Sequence, residues 1–282
     1  MENSAGFEST AGVQMPPMVY GTAWKKERTA ELVYDAVKSG FRGIDTACQP
    51  KHYHEIGVGQ ALQRLASEGI TRESLFVQTK YTPVDGQDPR RVPYDPEASL
   101  SQQVAQSFAA SCRNLGTDYI DSLVLHSPLF PYIRLAEVWQ AMEKIARDGG
   151  AKQLGISNCY DLNLLRKLYD EADVKPAVVQ NRFYADSGYD TELRAWCREQ
   201  GIVYQSFWTL TANPHILAAM PLLQIAANHD KNVVQVFFNY LNRCGVIPLN
   251  GTTSPMHMAS DLQSFDFSLS EEEIESITAL LI

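Results

Sequence analysis

Eight short runs rich in Val, Ile and Leu alternate along the chain with eight longer amphipathic segments, and this alternation limits the possible folds more than any other feature. The apolar runs fall at residues 17–21, 43–45, 75–80, 122–126, 153–157, 177–180, 203–207 and 246–249. Most lack the in/out alternation of a half-exposed sheet, so they read as strands buried on both faces, as in a parallel sheet. The amphipathic segments fall at residues 28–38, 55–66, 99–115, 135–148, 162–169, 191–200, 232–242 and 269–280. In the first of them Ala30, Leu32, Val33, Ala36 and Val37 gather near one helical face. Ser99 is placed to cap a helix, Gly149-Gly150 to stop one, and Ser268 or Ser270 to open the last ahead of three glutamates. Eight strand–helix repeats predict a (β/α)8 barrel. A doubly wound sheet usually has fewer strands and a glycine-rich first turn, and no G-x-G-x-x-G joins the first strand to the first helix. No composition break divides the 282 residues, so one domain is expected, with residues 1–16 a loosely packed N-terminal segment.

Composition narrows the partners. Hydrophobic residues make up 45% of the chain and charged residues 20%, which supports a large core and excludes disordered, collagen-like and coiled-coil architectures. The net charge of −9, without a Lys/Arg block, argues against nucleic acid and acidic lipid surfaces as partners. Five scattered cysteines, six scattered histidines and no CxxC pair give no expectation of a disulfide framework or a metal site. The polar N-terminus lacks the charge and apolar core of a leader, and no run reaches the roughly 18 apolar residues of a membrane span. A soluble, cytoplasmic protein is expected.

In such a barrel, chemistry collects where the strands end. Reading those ends puts Asp45 after the second strand, Lys80 after the third and His126 after the fourth, with Tyr53 in the loop after the second. Each alone has an ordinary explanation: a helix cap, a solvated amine, a satisfied core histidine, a packed phenol. Their joint occurrence at consecutive strand ends makes a catalytic site the better reading.

Five ordered motifs then resemble the aldo-keto reductase family: G-F-R-G-I-D-T-A at 40–47, Tyr53 with Glu55 and Val58-Gly59, V-Q-T-K at 77–80, L-V-L-H-S-P at 123–128 and L-G-I-S-N at 154–158. The match runs through nearly the whole chain. The short C-terminal tail and the G-T-T-S-P-M-H-M run are similar to fungal members, some of which act in secondary metabolism. The resemblance implies NADPH-dependent reduction of an aldehyde or ketone, without a metal, by a tetrad of Asp45, Tyr53, Lys80 and His126. Tyr53 would donate the proton, Lys80 would lower its pKa, Asp45 would hold Lys80, and His126 would orient the carbonyl oxygen. It also implies a cofactor track of Gly21, Thr22, Ser157, Asn158, Gln180, Phe207, Trp208, Leu210, Asn250, Gly251, Thr252, Thr253, His257 and Asp261. Ser157, Asn158 and Gln180 would hold the nicotinamide amide, and Phe207 would stack on its ring. Trp24, His52, Tyr81, Leu129 and Phe130 are the expected substrate wall.

Four departures from the family pattern matter. Asp45 and Tyr53 stand eight positions apart where five is common, which leaves the placement of Tyr53 open. Leu249 stands where a lysine often clasps the 2′-phosphate of NADP, and His257 near a usual arginine, so NADH use is a possibility beside NADPH. The proline-rich loop at residues 81–97 is either a substrate flap or a rigid decoration. A chain ending just after the last helix suggests an open pocket for bulky, aromatic carbonyl compounds. Two other functions are compatible with these residues, a nucleotide-sensing regulatory or binding subunit and a cofactor-independent cyclase or isomerase.

Overall fold

The structure, a computed structural model, describes residues 6–281. An antiparallel hairpin of β1 (Phe7–Glu8) and β2 (Gln14–Met15) precedes eight parallel strands. These are β3 (Val19–Gly21), β4 (Gly43–Asp45), β5 (Phe76–Tyr81), β6 (Ile120–Leu125), β7 (Ala151–Ser157), β8 (Pro176–Arg182), β9 (Val203–Phe207) and β10 (Val246–Asn250). They close into a barrel in chain order, with β10 pairing back onto β3. The helices are α1 (Thr29–Ser39), α2 (Glu55–Ser67), α3 (Leu100–Leu115), α4 (Tyr132–Arg147), α5 (Leu162–Glu171) and α6 (Thr191–Glu199), then α7 (Pro214–Leu217), α8 (Met220–Asn228), α9 (Val233–Arg243), α10 (Pro255–Leu262) and α11 (Glu271–Thr278).

Every expected strand and helix is present within a few residues. Ser99 caps α3 and Ser270 caps α11, each with a reciprocal bond from the third helical residue. The short helices α7 and α8 were not expected, whereas α10 follows Gly251, Thr252 and Thr253, where a helix was. Each carries a proline in its first turn, where the missing N–H is harmless, although proline reads as a breaker in sequence.

The N-terminal segment is not loose from Phe7 onward; residues 1–5 lie outside the described residues. The hairpin plugs the bottom of the barrel. Met15 and Val13 are buried with Val19, Phe76, Val178, Val203 and Ile247, and Ser9 Oγ donates to Gln153 Oε1 at 2.5 Å. Burying those two side chains contributes about 1.5–3 kcal/mol each, enough to hold a short hairpin in place.

Above this apolar floor the barrel interior turns polar. Gln78 and Gln180 both donate to Gln205 Oε1, at 2.8 and 2.9 Å, and both donate to Asp45 Oδ1, at 2.8 and 3.0 Å. Such a layer stands only because its amides satisfy one another. It forms a rigid base directly beneath the mouth.

Candidate active site

Strand alternation places the tetrad. Asp45 and Lys80 end or nearly end adjacent strands and point inward, where Lys80 Nζ lies 2.6 Å from both oxygens of Asp45 and 3.0 Å from Thr46 O. Both residues are almost fully buried, Lys80 at 1% and Asp45 at 2% exposed. Burial pulls the Lys80 ammonium below its usual range and Asp45 opposes that pull.

The long loop before Tyr53 does not displace it. The N–H groups of His52 and Tyr53 both return to Gln49 O, so the extra residues coil into a turn of their own. The Tyr53 ring then lies 5.3 Å from Lys80 Nζ and edge-on to His126, with ring centroids 5.9 Å apart. Glu55, two residues on, anchors this placement: its buried carboxylate accepts from Thr79 at 2.5 Å, Ser111 at 2.9 Å and Asn114 at 3.1 Å, tying α2 to β5 and α3. Gly59 permits that packing, because a Cβ there would stand 2.1 Å from Asn114 O.

One expectation fails. The Tyr53 phenol is not acidified; burial, and then the Asp45 carboxylate, push its pKa above the usual value. Lys80 is held through both oxygens of Asp45, and no hydrogen bond joins it to Tyr53. Tyr53 is therefore an undissociated phenol. His126 is neutral as well, its pKa pulled down to about 3 by burial and then by Lys80. Its Nδ1 lies 2.7 Å from Thr82 Oγ1.

These groups open into a cleft of about 1070 Å³ at the C-terminal mouth. Asp45, Tyr53 and His126 line it, with Trp24 and His52 from the expected substrate wall. Of the expected cofactor track, Gly21, Ser157, Asn158, Gln180, Phe207, Trp208, Leu210, Asn250, Gly251, Thr252, His257 and Asp261 line it too. Thr22 and Thr253 do not: Thr22 is sealed, its hydroxyl on Asp45 O, and Thr253 is exposed outside the cleft. Tyr81 faces away because Lys80 faces in; its hydroxyl meets Gln103 Oε1 and its ring packs on Tyr94. Leu129 is buried in the core and Phe130 is 66% exposed, both outside the cleft.

The loop at 81–97 is tied down. Gln87 donates to Cys48 O and Thr82 O, Tyr94 Oη to Thr82 O, and Gln49 to Gly86 O. It gives only Thr82 and Gly86 to the cleft wall, while Arg90 and Arg91 point to solvent.

Sequence reading missed Lys25, Arg182 and Thr82 as lining residues. Lys25 donates to Gly251 O and packs 5.9 Å from the Tyr20 ring centroid. The basic pair Lys25-Lys26 after the first strand was its one visible signal.

The trio expected to hold a nicotinamide amide is partly committed. Gln180 Nε2 is used by Asp45 and Gln205, and Ser157 Oγ donates to Gln180 O. Asn158 Nδ2 is held by His126 O at 2.8 Å. Gln180 Oε1 has no partner among the described residues and is open to the cleft, which suits an amide N–H.

The family model described as Aldo/keto reductase family matches residues 17–282. The chain belongs to that family. It is 30% identical over 272 residues to the glyoxal reductase of Bacillus subtilis (strain 168), covering 95% of this chain and 90% of that one. Among solved structures, an aldo/keto reductase from Brucella melitensis superposes with a TM-score of 0.85 at 26% identity, covering 99% of both chains. An aldo-keto reductase of Bombyx mori solved in complex with NADP superposes at 0.80 with 25% identity, covering 97% of this chain and 91% of that chain. Family members thus share both the barrel and its closure. Among the described residues no helix is long and apolar enough to cross a membrane, and no cluster of three or more His, Cys, Asp or Glu side chains could hold a metal.

Proposed function

We propose that the protein reduces an aldehyde or ketone to the alcohol with NADPH. The observation that carries this reading is the buried Lys80–Asp45 pair beneath a phenol and a neutral imidazole, all at one cleft with room for a cofactor and a substrate. Bound NADPH supplies the hydride. Tyr53 gives its proton to the oxygen as negative charge develops there, and the Lys80 cation, 5.3 Å from its ring, offsets part of the penalty that burial and Asp45 place on the phenolate. Asp45 fixes Lys80 and is itself fixed by Gln78 and Gln180. His126 binds the carbonyl oxygen. The 2.7 Å contact between Thr82 Oγ1 and Nδ1 serves this role when the hydroxyl is the donor, because the neutral ring then carries its proton on Nε2, which has no partner among the described residues.

The residues present fit the cofactor. Phe207 offers a ring face in the cleft and Gln180 Oε1 a free acceptor. Lys25 supplies, beside Gly251, the positive charge that Leu249 lacks. The Asn250–Asp261 pair, 2.6 Å apart, offers acceptors for ribose or adenine. Lys25→Met is expected to weaken NADPH binding about tenfold and to flatten its salt dependence. A titration with unchanged affinity removes Lys25 from the phosphate site.

Loss of NADPH absorbance on adding a reactive aldehyde tests the proposal. Tight cofactor binding with no turnover across an aldehyde panel supports a nucleotide-binding subunit instead.

The pH dependence follows from the two perturbed groups. His126 stays neutral above about pH 3 and Tyr53 stays protonated past its usual pKa, so kcat/KM for reduction is expected to be flat from about pH 5 to 9. An inflection near pH 6.5 would place His126 in the wrong charge state. The same shift acts on stability. Between about pH 6.5 and 3 the unfolded chain binds a proton that native His126 does not, so this contribution is complete above 6.5 and lost as pH falls.

A further inference from the structure

Arg182 ends β8, two residues beyond Gln180 and therefore on the same inward face, about 6–7 Å nearer the mouth. Asn181 between them points outward, bonded to Asp190 and Cys159 O. In the closed ring β8 stands across the barrel from β4, the strand that leads to Tyr53. The Arg182 guanidinium lines the cleft with its carbon 4.2 Å from the Trp208 ring centroid and 5.2 Å from that of Tyr184. Trp208 is held there at φ 56°, a left-handed backbone that a bulky residue rarely adopts, and is 53% exposed.

A guanidinium stacked on an aromatic face keeps its edge N–H groups free. Here they are unclaimed. Among the described residues no ion pair involves Arg182, its guanidinium makes no hydrogen bond, and Nε is sealed from solvent without a partner. The other cleft cation, Lys25, stands beside Gly251 at the proposed cofactor phosphate site, and Lys80 below is bound to Asp45. A protein of net charge −9 does not attract anions generally, so an unpaired, pre-stacked arginine in its cleft is a local provision for one.

We infer that Arg182 recognises an anionic substituent, a carboxylate, on the carbonyl substrate. This deepens the carbonyl-reduction reading and rests on it. The reacting carbonyl sits between Tyr53 and His126, and the carboxylate end reaches across the mouth to the guanidinium edge beside Trp208.

The test compares 4-carboxybenzaldehyde with its neutral methyl ester, methyl 4-formylbenzoate. Arg182→Gln is expected to lower the ratio of their kcat/KM values about tenfold, mainly through KM of the acid, and Arg182→Lys to retain part of it. A second arm needs no turnover: calorimetric binding of 4-(hydroxymethyl)benzoate, with and without NADP+, is expected to weaken about tenfold in Arg182→Gln. The NADPH dissociation constant is expected to hold. An unchanged ratio with an unchanged benzoate affinity overturns the inference, as does a parallel loss of NADPH affinity, which would assign the guanidinium to a cofactor phosphate. If the unaltered protein turns over neither aldehyde, the reductase reading fails and the calorimetric arm alone decides the role of Arg182.

Discussion

Tyr53→Phe is expected to lower kcat/KM for aldehyde reduction by about 10²–10⁴-fold while NADPH still binds. The substitution removes one oxygen from a side chain whose ring contacts, edge-on to His126 and beside Lys80, remain. The loop behind it is tied to Gln49 O and the helix after it is anchored by Glu55, so the backbone has no reason to move. Without the phenol the developing alkoxide faces an imidazole that stays uncharged above about pH 3, so it holds no imidazolium proton to give and only orients the oxygen. Stopped-flow reduction with saturating NADPH measures the chemical step directly. An undiminished rate in Tyr53→Phe would assign the proton to another donor.

The second large effect is on stability. Lys80→Met leaves Asp45 buried at 2% exposure with only the Gln78 and Gln180 amides as donors, and a buried charge stripped of its partner costs about 3–5 kcal/mol. Urea unfolding is expected to report a loss of that order. Adding Asp45→Asn to Lys80→Met should recover much of it, because the uncompensated charge is gone while the amide network persists. Both variants should lack activity. If the double variant is no more stable than the single one, the loss comes from packing around the lysine stem rather than from the charge.

The barrel was legible because its eight strands are buried almost throughout and every long helix is amphipathic, so local patterning and tertiary packing demand the same elements. The helices α7 and α8 were hidden by prolines that the first helical turn tolerates. The hairpin was hidden because two-residue strands carry no period; only the hollow barrel floor makes Met15 a core residue. At the site, strand parity separates the correct from the misplaced residues. Lys80 points in, so its neighbour Tyr81 points out, and a list of aromatic residues near strand ends cannot respect that alternation.

Residue order alone therefore dictated the (β/α)8 closure and the presence of a carboxylate, an amine, a phenol and an imidazole at its mouth, because periodicity and strand-end position are local properties. The protonation of those groups was beyond its reach. Charge states depend on what surrounds each group in space: burial and the Asp45 carboxylate keep the phenol protonated, and burial with the Lys80 cation keeps the imidazole neutral. The free edge of Arg182 belongs with these, since a missing partner exists only once all the other chain segments have been placed.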